Sequence, residues 1–201
     1  MQKILSLFNL IFTDEEKLNP KYIEIGVCGL SCRLCPSYNS QAESRCSGCK
    51  SPERIRVGCP FITCAVKKKG FDFCWECKES STCEKWKYHR DASKIGDSFK
   101  CYQTLEADIE FVLQKGIEEF EKQQKARELI LKAMLNEFND GRSKSYYCIV
   151  ATVFTIDELQ QTLTIARANS TSLQQKEKAK VMHSTIEKVA SHKGYLLKLR
   201  K

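Results

Sequence analysis

Apolar residues recur at helical spacing through the second half of the chain. In residues 105–113 they lie three or four positions apart, and residues 120–138 continue this spacing. Such spacing places the apolar side chains on one face of an amphipathic helix. We therefore predict two amphipathic helices after about residue 100, broken near Gly116 and ended by the residues 139–141.

Further along the chain, two more helices are predicted from local signals. Thr155 followed three positions later by Glu158 forms a capping box, which opens the helix DELQQTLTIARA. A last helix is expected over about residues 172–193, with Gly194 as its stop.

Three stretches favour extended structure instead. YYCIVATVF, residues 146–154, is rich in β-branched and aromatic side chains and favours a buried strand, although a short buried helix fits its length equally. YLLKLRK at residues 195–201 is expected as a strand, and YIEIGV at residues 22–27 as a short extended piece. The predicted fold class is therefore α+β, in which a mostly helical domain carries one or two short strands.

Composition divides the chain into three parts. We predict a helical lead-in over residues 1–27, a Cys-rich zinc-binding domain over 28–99 and a helical α+β domain over 100–201. The middle part holds few Leu, Ile or Val residues, and its turns SGCKSPE and VGCP interrupt the apolar runs. We expect little regular structure there, because so small an apolar content needs another source of stability.

Ten of the twelve cysteines fall in this middle part, and their spacing is typical of metal ligation. A CxxC pair lets two thiolates point into one pocket, and two such pairs supply four ligands for a tetrahedral ion. Three CxxC pairs occur between residues 32 and 77. The candidate ligands are Cys28, Cys32, Cys35, Cys46, Cys49, Cys59, Cys64, Cys74, Cys77 and Cys83.

The simplest partition of these ligands gives two sites. Site one would use Cys32, Cys35, Cys46 and Cys49, and site two would use Cys64, Cys74, Cys77 and Cys83. Cys28 and Cys59 are left over, as substitutes, bridging ligands or buried thiols.

The remaining cysteines and histidines have simpler readings. His89 is a further candidate ligand, although a histidine at this position is more often not one. Cys101 and Cys148 stand apart from the cluster, and Cys148 is expected in the core. His183 and His192 lie on the polar C-terminal helix, where exposure to solvent is expected.

Zinc is the predicted cofactor, as about two ions. Twelve cysteines in a chain without a convincing export signal indicate a reducing cytoplasm, where disulfides rarely persist. The alternative is an iron–sulfur cluster on Cys28, Cys32 and Cys35, whose CxxxCxxC spacing is that of radical enzymes. The helical part cannot supply the alternating strands of such an enzyme's barrel. No P-loop, GxGxxG or HExxH occurs, so we expect no catalytic role.

Charge and hydropathy limit the partners. The formal charge is +8, but each four-thiolate zinc site carries about −2, which leaves roughly +4. From Lys178 onward the chain has seven basic residues and one acidic residue. This segment is an alternative site for nucleic-acid binding. No run approaches the roughly 18 apolar residues of a membrane span. ILSLFNLIF, residues 4–12, is expected as a short packing helix, because no cleavage site follows.

The cysteine motifs also carry a family resemblance. CGLSCRLCPSY, CSGCK, CPFITC and FCWECKESSTCEKW resemble the bacterial and archaeal Cys-rich family known as domain of unknown function 3795, including the glycines at 29 and 48. GRSKSYYCIVATVFTIDELQQTL is similar to the helical extension of its longer members. The resemblance implies zinc binding through these cysteines and names no substrate.

The expected function is thus a non-catalytic, zinc-stabilised module that binds a protein partner. Nucleic acid is a less supported partner. A pocket between the Cys-rich and helical parts, lined by Trp75 or Trp86, stays open as a small-molecule site.

Overall fold

The computed structural model of the protein describes residues 21–94 and 102–197, apart from the side chains of residues 89 and 92–94. Most of the predicted lead-in, the proposed boundary at residues 99 and 100, and Cys101 lie outside these residues. The seven α-helices of the described chain are α1 (Pro52–Val57), α2 (Glu84–Lys94), α3 (Leu105–Lys115), α4 (Ile117–Phe138), α5 (Lys144–Val153), α6 (Ile156–Ala168) and α7 (Gln175–Lys193).

Helices α4 to α7 form a bundle around the largest apolar core. Leu131, Met134 and Phe154 have no exposed surface in this core. The predicted break between α3 and α4 is confirmed at Gly116, whose φ of 88° belongs to the region that favours glycine. The predicted stop of α7 at Gly194 is also confirmed.

The capping box at the start of α6 is confirmed as well. Thr155 Oγ1 accepts a hydrogen bond from the Glu158 backbone N–H at 3.2 Å, and Glu158 Oε2 accepts one from the Thr155 N–H at 2.9 Å. Both bonds satisfy N–H groups that the first turn of a helix leaves without partners.

The α+β prediction is wrong, because the regular secondary structure of the described residues is helical and no sheet is formed among them. YYCIVATVF forms most of helix α5, in which Tyr147, Cys148, Ile149, Val150 and Ala151 are all buried. A helix surrounded by other helices is apolar on every side, so its sequence has the continuous apolar run of a buried strand. The composition of residues 146–154 therefore could not distinguish a buried strand from a buried helix.

Extended pairing is limited to one antiparallel bridge, between Ile25 and Ser31, within the described part of the chain. Tyr195 to Leu197 lie outside any helix or strand, and the rest of YLLKLRK falls outside the described residues. Residues 195–197 therefore do not form the predicted C-terminal strand. None of the described helices is both long enough and apolar enough to cross a membrane.

The Cys-rich segment consists mainly of short turns. It contains 3₁₀ turns at Cys32–Leu34, Cys74–Glu76 and Ser80–Thr82, a π-helical stretch at Ile62–Lys68, and the helices α1 and α2. The expectation of short, loop-like structure holds here, except that α2 runs for 11 residues.

Apolar contacts cross between the two parts of the chain. Leu34, from the first CxxC loop, is buried in the core of the bundle. Leu105 and Ile109 of α3 are buried in the main core of the Cys-rich segment, around Trp86. Since each part contributes to the other's core, the first CxxC loop has a fixed position against the helices.

Candidate metal centre

The ten clustered cysteines all carry free thiols in the structure. They lie on turns and loops and in short helical segments, among them Cys64 inside the π-helical stretch. Turn geometry lets two thiols approach each other without a disulfide. The neighbours of each thiol then show which cysteines lie together.

A first thiol group consists of Cys32, Cys35 and Cys49. Cys32 and Cys35 flank one 3₁₀ turn, in which the Cys35 N–H donates to the Cys32 carbonyl at 2.9 Å. The Cys49 backbone N–H donates to Cys32 Sγ at 3.1 Å. Hydrogen bonding with Cys49, burial, and the charges of Cys49 and Cys35 raise the pKa of Cys32. The three thiols therefore share one neighbourhood.

Gly48 allows this approach of Cys49. Its φ of 111° lies in the region that favours glycine, and an added Cβ would meet the Ile23 carbonyl oxygen at 3.1 Å. Any other residue at position 48 would strain the turn and move Cys49. The glycine that contributed to the family resemblance thus has a physical reason.

A second thiol group surrounds Cys74. Burial raises the pKa of Cys74, and the charges of four further thiols raise it in the same direction. These neighbours are Cys28, Cys83, Cys64 and Cys59. Spacing alone left Cys28 and Cys59 unassigned, whereas the fold brings both to this group.

Cys77 has different surroundings from the rest of its predicted site. Its Sγ accepts a hydrogen bond from Lys69 Nζ at 3.2 Å, and the same ammonium pairs with Glu79 Oε2 at 2.6 Å. Whether Cys77 is a ligand of site two stays a prediction.

The two thiol groups adjoin each other at Gly26. A Cβ placed on Gly26 would lie 3.5 Å from Cys28 Sγ and 3.6 Å from the Cβ of Cys49. Within the described part of the chain, no three His, Cys, Asp or Glu side chains converge closely enough to hold an ion. Ligation of either group therefore needs the thiols to move closer together.

A buried lysine lies beside the first group. The Lys50 side chain has no exposed surface, and its Nζ has no hydrogen-bond partner. It lies 3.8 Å from Asp72 Oδ1 and 3.6 Å from the centre of the Phe73 ring. Burial lowers the pKa of Lys50 to about 8, while Asp72, Glu76 and Cys32 act in the opposite direction.

These features fit a thiolate-bound cation. Crowded thiols raise each other's pKa, whereas a bound metal ion deprotonates a coordinating thiol. A four-thiolate zinc site carries about −2, and a buried ammonium next to it offsets part of that charge. Sequence reasoning missed Lys50, because a lysine after a CxxC pair resembles any surface lysine until its burial is known.

An ion-pair network fixes the first CxxC loop to helix α4. Arg33 lies inside CRLC, and its guanidinium contacts Glu128 Oε2 at 2.7 Å, Glu121 Oε1 at 3.4 Å and Glu24 Oε2 at 3.5 Å. The side chains of Arg33 and Glu128 are 12% and 10% exposed, so water screens this pair weakly. Arg33 was not among the residues predicted from the sequence.

The remaining candidate residues, Cys148, His89 and His183, lie on helices outside the two thiol groups. Cys148 is buried in α5, which confirms its predicted core position, and burial raises its pKa to about 12. His89 belongs to α2, but its side chain lies outside the description. The predicted exposure of His183 is wrong: its ring stacks on Tyr146 with the centroids 4.7 Å apart.

His183 also contacts Ser143, at 2.8 Å between Nε2 and Oγ. Ser143 Oγ donates its proton to Asp140 Oδ1 at 2.9 Å, so it accepts a hydrogen bond from His183. A histidine base that activates a serine accepts the serine proton instead. This arrangement is therefore a helix-terminus network and not a nucleophile.

Fold and site together define a cysteine-rich, candidate metal-binding segment packed on a helical bundle. Residues 24–88 match the family described as Protein of unknown function (DUF3795). This match confirms the resemblance carried by the cysteine motifs. The match does not extend to the helical half, whose relation to longer members stays a prediction. Comparisons with curated proteins and with solved structures returned no match.

Proposed function

We propose that the Cys-rich segment is a structural zinc-binding module, in which thiolates hold about two ions and no catalysis takes place. Four-thiolate zinc sites leave no coordination position open for a substrate. The match of residues 24–88 to a family of unknown function is compatible with this role but does not specify it.

The observation that carries the proposal is Lys50 beside the first thiol group. A buried ammonium without a hydrogen bond destabilises a protein unless negative charge lies near it. Asp72 at 3.8 Å is one such charge, yet its side chain is 38% exposed. A thiolate-bound ion at Cys32, Cys35 and Cys49, with Cys46 as the fourth ligand, would supply the remaining negative charge.

The weak apolar core of the segment supports the same proposal. Its main cluster centres on Trp86, and several thiols pack against that cluster as part of its wall. Small segments with so few apolar residues usually gain their stability from a metal or from disulfides. The free thiols favour the metal.

Exposed apolar side chains support a protein as the partner of the module. Val57, at the end of α1, is 72% exposed, and Tyr88 of α2 is 77% exposed. Tyrosine is enriched at the centres of protein interfaces. The alternative partner, nucleic acid, would bind the lysines of α7 with an affinity that falls steeply as salt increases.

Metal analysis of the full chain tests the zinc proposal. We expect about two zinc ions per chain and no visible absorption band in protein purified without oxygen. Cys49→Ser and Cys74→Ser should each lower the zinc content by about one ion, because they remove a thiol from different groups. Cys148→Ser is the matched control and should leave the content unchanged.

Two results would overturn the proposal. Iron with sulfide and a broad absorption near 400 nm, typical of thiolate-bound clusters, would establish the iron–sulfur alternative. An ion with three protein ligands and one water, seen by X-ray absorption, would show an open and potentially catalytic site.

A further inference from the structure

A small cavity lies where the first CxxC loop meets the helices. Its volume is about 40 Å³, which is room for roughly three water-sized groups. Five segments form its wall: the CRLC loop with its flanking residues, the second CxxC turn at Cys49, the start of α3, the middle of α4 and the end of α5. Its wall includes the three thiols of the first group, and its other polar side chains are Ser31, Thr104, Asp108, Gln124 and Thr152. Trp75 and Trp86 do not line this cavity.

Two hydroxyl groups that line the cavity already donate their protons to other groups of the protein. Thr104 Oγ1 donates to Asp108 Oδ2 at 2.8 Å, and Thr152 Oγ1 donates to the Cys148 carbonyl at 2.9 Å. A hydroxyl has one proton and two lone pairs. Towards the cavity, both threonines are therefore acceptors.

Asp108 adds a further acceptor. Its Oδ1 has no hydrogen-bond partner among the described residues, and no described cation lies within ion-pair distance of its carboxylate. The positive charge of Arg127 acts on Asp108. The Nη1 of Arg127, however, donates to the Ala151, Thr152 and Phe154 carbonyls at the end of α5.

Two polar groups at the cavity lack partners. Ser31 Oγ is buried without a hydrogen bond. Gln124 is 3% exposed, lines the cavity, and has no side-chain hydrogen bond to the described residues. A buried polar group without a partner destabilises the fold. An occupant that bonds to both groups would remove this penalty.

The lining therefore favours an occupant that donates hydrogen bonds and carries positive charge. Asp108, Thr104 and Thr152 offer acceptors on different walls, and the carboxylate contributes the only formal charge among the five polar side chains. We propose that this cavity binds a small organic cation with several N–H donors, of the amidinium or alkylammonium class and of about three non-hydrogen atoms.

Formamidinium is the probe that tests this assignment. It is planar, has three non-hydrogen atoms and carries four N–H donors. We expect saturable one-to-one binding to the full chain by calorimetry, with a dissociation constant in the millimolar range for so small a ligand. The melting temperature should rise with formamidinium concentration, since a ligand of the native state stabilises it by mass action.

Matched ligands and variants separate the contributions of positive charge, of N–H donors and of single side chains to formamidinium binding. Formamide has the same shape without the charge, and potassium has the charge without N–H donors. Both should bind at least tenfold more weakly at equal ionic strength. Asp108→Asn and Thr152→Val should weaken formamidinium binding, and Glu110→Gln, an exposed change on the same helix, should not. Circular dichroism checks that each variant is folded.

Three outcomes would overturn the proposal. Equal affinity for formamide or for potassium would exclude an N–H cation as the specific occupant. Unchanged binding by Asp108→Asn and Thr152→Val would place the ligand elsewhere. A crystal grown with formamidinium that shows water alone in the cavity would make it a hydration site. Because the thiols of the first group line the same cavity, zinc content is measured before and after each titration. Loss of formamidinium binding at unchanged zinc content then contradicts this proposal alone, and absence of zinc from the purified protein contradicts the zinc proposal alone.

Discussion

The helical bundle and the Cys-rich segment bury different kinds of side chain. Leu131 and Met134 are completely buried in the bundle, among other apolar residues. In the Cys-rich segment, complete burial extends to the ammonium-bearing side chain of Lys50. Apolar burial stabilises a fold without any ligand, whereas buried charge and crowded thiols need a counter-charge. Under the proposed function, the Cys-rich segment depends on a bound ion for its stability and the helical bundle does not.

Removal of metal gives the largest predicted effect and tests this difference directly. With a zinc chelator, the amides of residues 24–94 should lose their protection from hydrogen exchange, because ligation and folding are coupled in small metal-bound segments. Helices α4 to α7 should keep theirs. Hydrogen exchange followed by mass spectrometry resolves the two regions.

The control for this experiment is the same chelator saturated with zinc, which should change nothing. Equal loss of protection in both regions would contradict the comparison, and so would full protection of both.

A substitution in the core of the bundle should lower stability and leave the zinc content unchanged. Leu131→Ala removes a fully buried side chain and should lower the free energy of unfolding by about 2–5 kcal/mol. Zinc content should stay at the wild-type value, because Leu131 lies in the bundle core and not among the thiols. Leu129→Ala, at a position that is 69% exposed, is the matched control and should change stability little.

Asp108, in the cavity between the two regions, should affect stability with a particular pH dependence. Burial raises the pKa of Asp108 to about 6, so the fold favours the protonated carboxyl. The resulting stability is fully present below about pH 4 and is lost as pH rises to about 6. Asp108→Asn should thus be more stable than wild type by about 1–3 kcal/mol above pH 6.

The measurement is denaturant unfolding of both proteins across this pH range. Their difference should vanish near pH 4, where Asp108 is protonated in both states. A difference that does not change with pH would show that Asp108 does not titrate as its burial indicates.

The residues that sequence reasoning identified and those it missed differ in how local their signal is. The cap at Thr155, the stop at Gly194 and the CxxC pairs depend on neighbours within a few positions, and such patterns are visible in the sequence. Arg33 and Lys50 depend on partners that only the fold brings near, such as Glu128 and Phe73. Helix α5 was ambiguous because burial on all sides removes the helical period.

The same reasoning explains the uncertain ligand partition. Spacing favours neighbours in sequence, and it therefore grouped Cys74 with Cys77. The fold surrounds Cys74 with thiols as distant in sequence as Cys28. Contacts of that length have no local signal, so metal stoichiometry in Cys→Ser variants is needed to assign the ligands.

Arg33 gives the smallest predicted effect and tests how the two regions are coupled. Arg33→Met keeps most of the side-chain volume but removes the contacts with Glu24, Glu121 and Glu128. Because the pair is only partly buried, we expect a loss of about 1–2 kcal/mol, between the values for exposed and buried ion pairs. Lys132 still contacts Glu128 at 2.8 Å, so that carboxylate keeps one cation.

The informative readout is the number of unfolding transitions in calorimetry. Arg33 and Leu34 together join the CRLC loop to the bundle, so loss of the ion pair should separate the melting of the zinc-loaded segment from that of α4 to α7. Arg142→Met, an exposed change in the loop before α5, is the control and should melt as wild type does. A single unshifted transition in Arg33→Met would mean that Leu34 and the shared apolar cores carry the coupling alone.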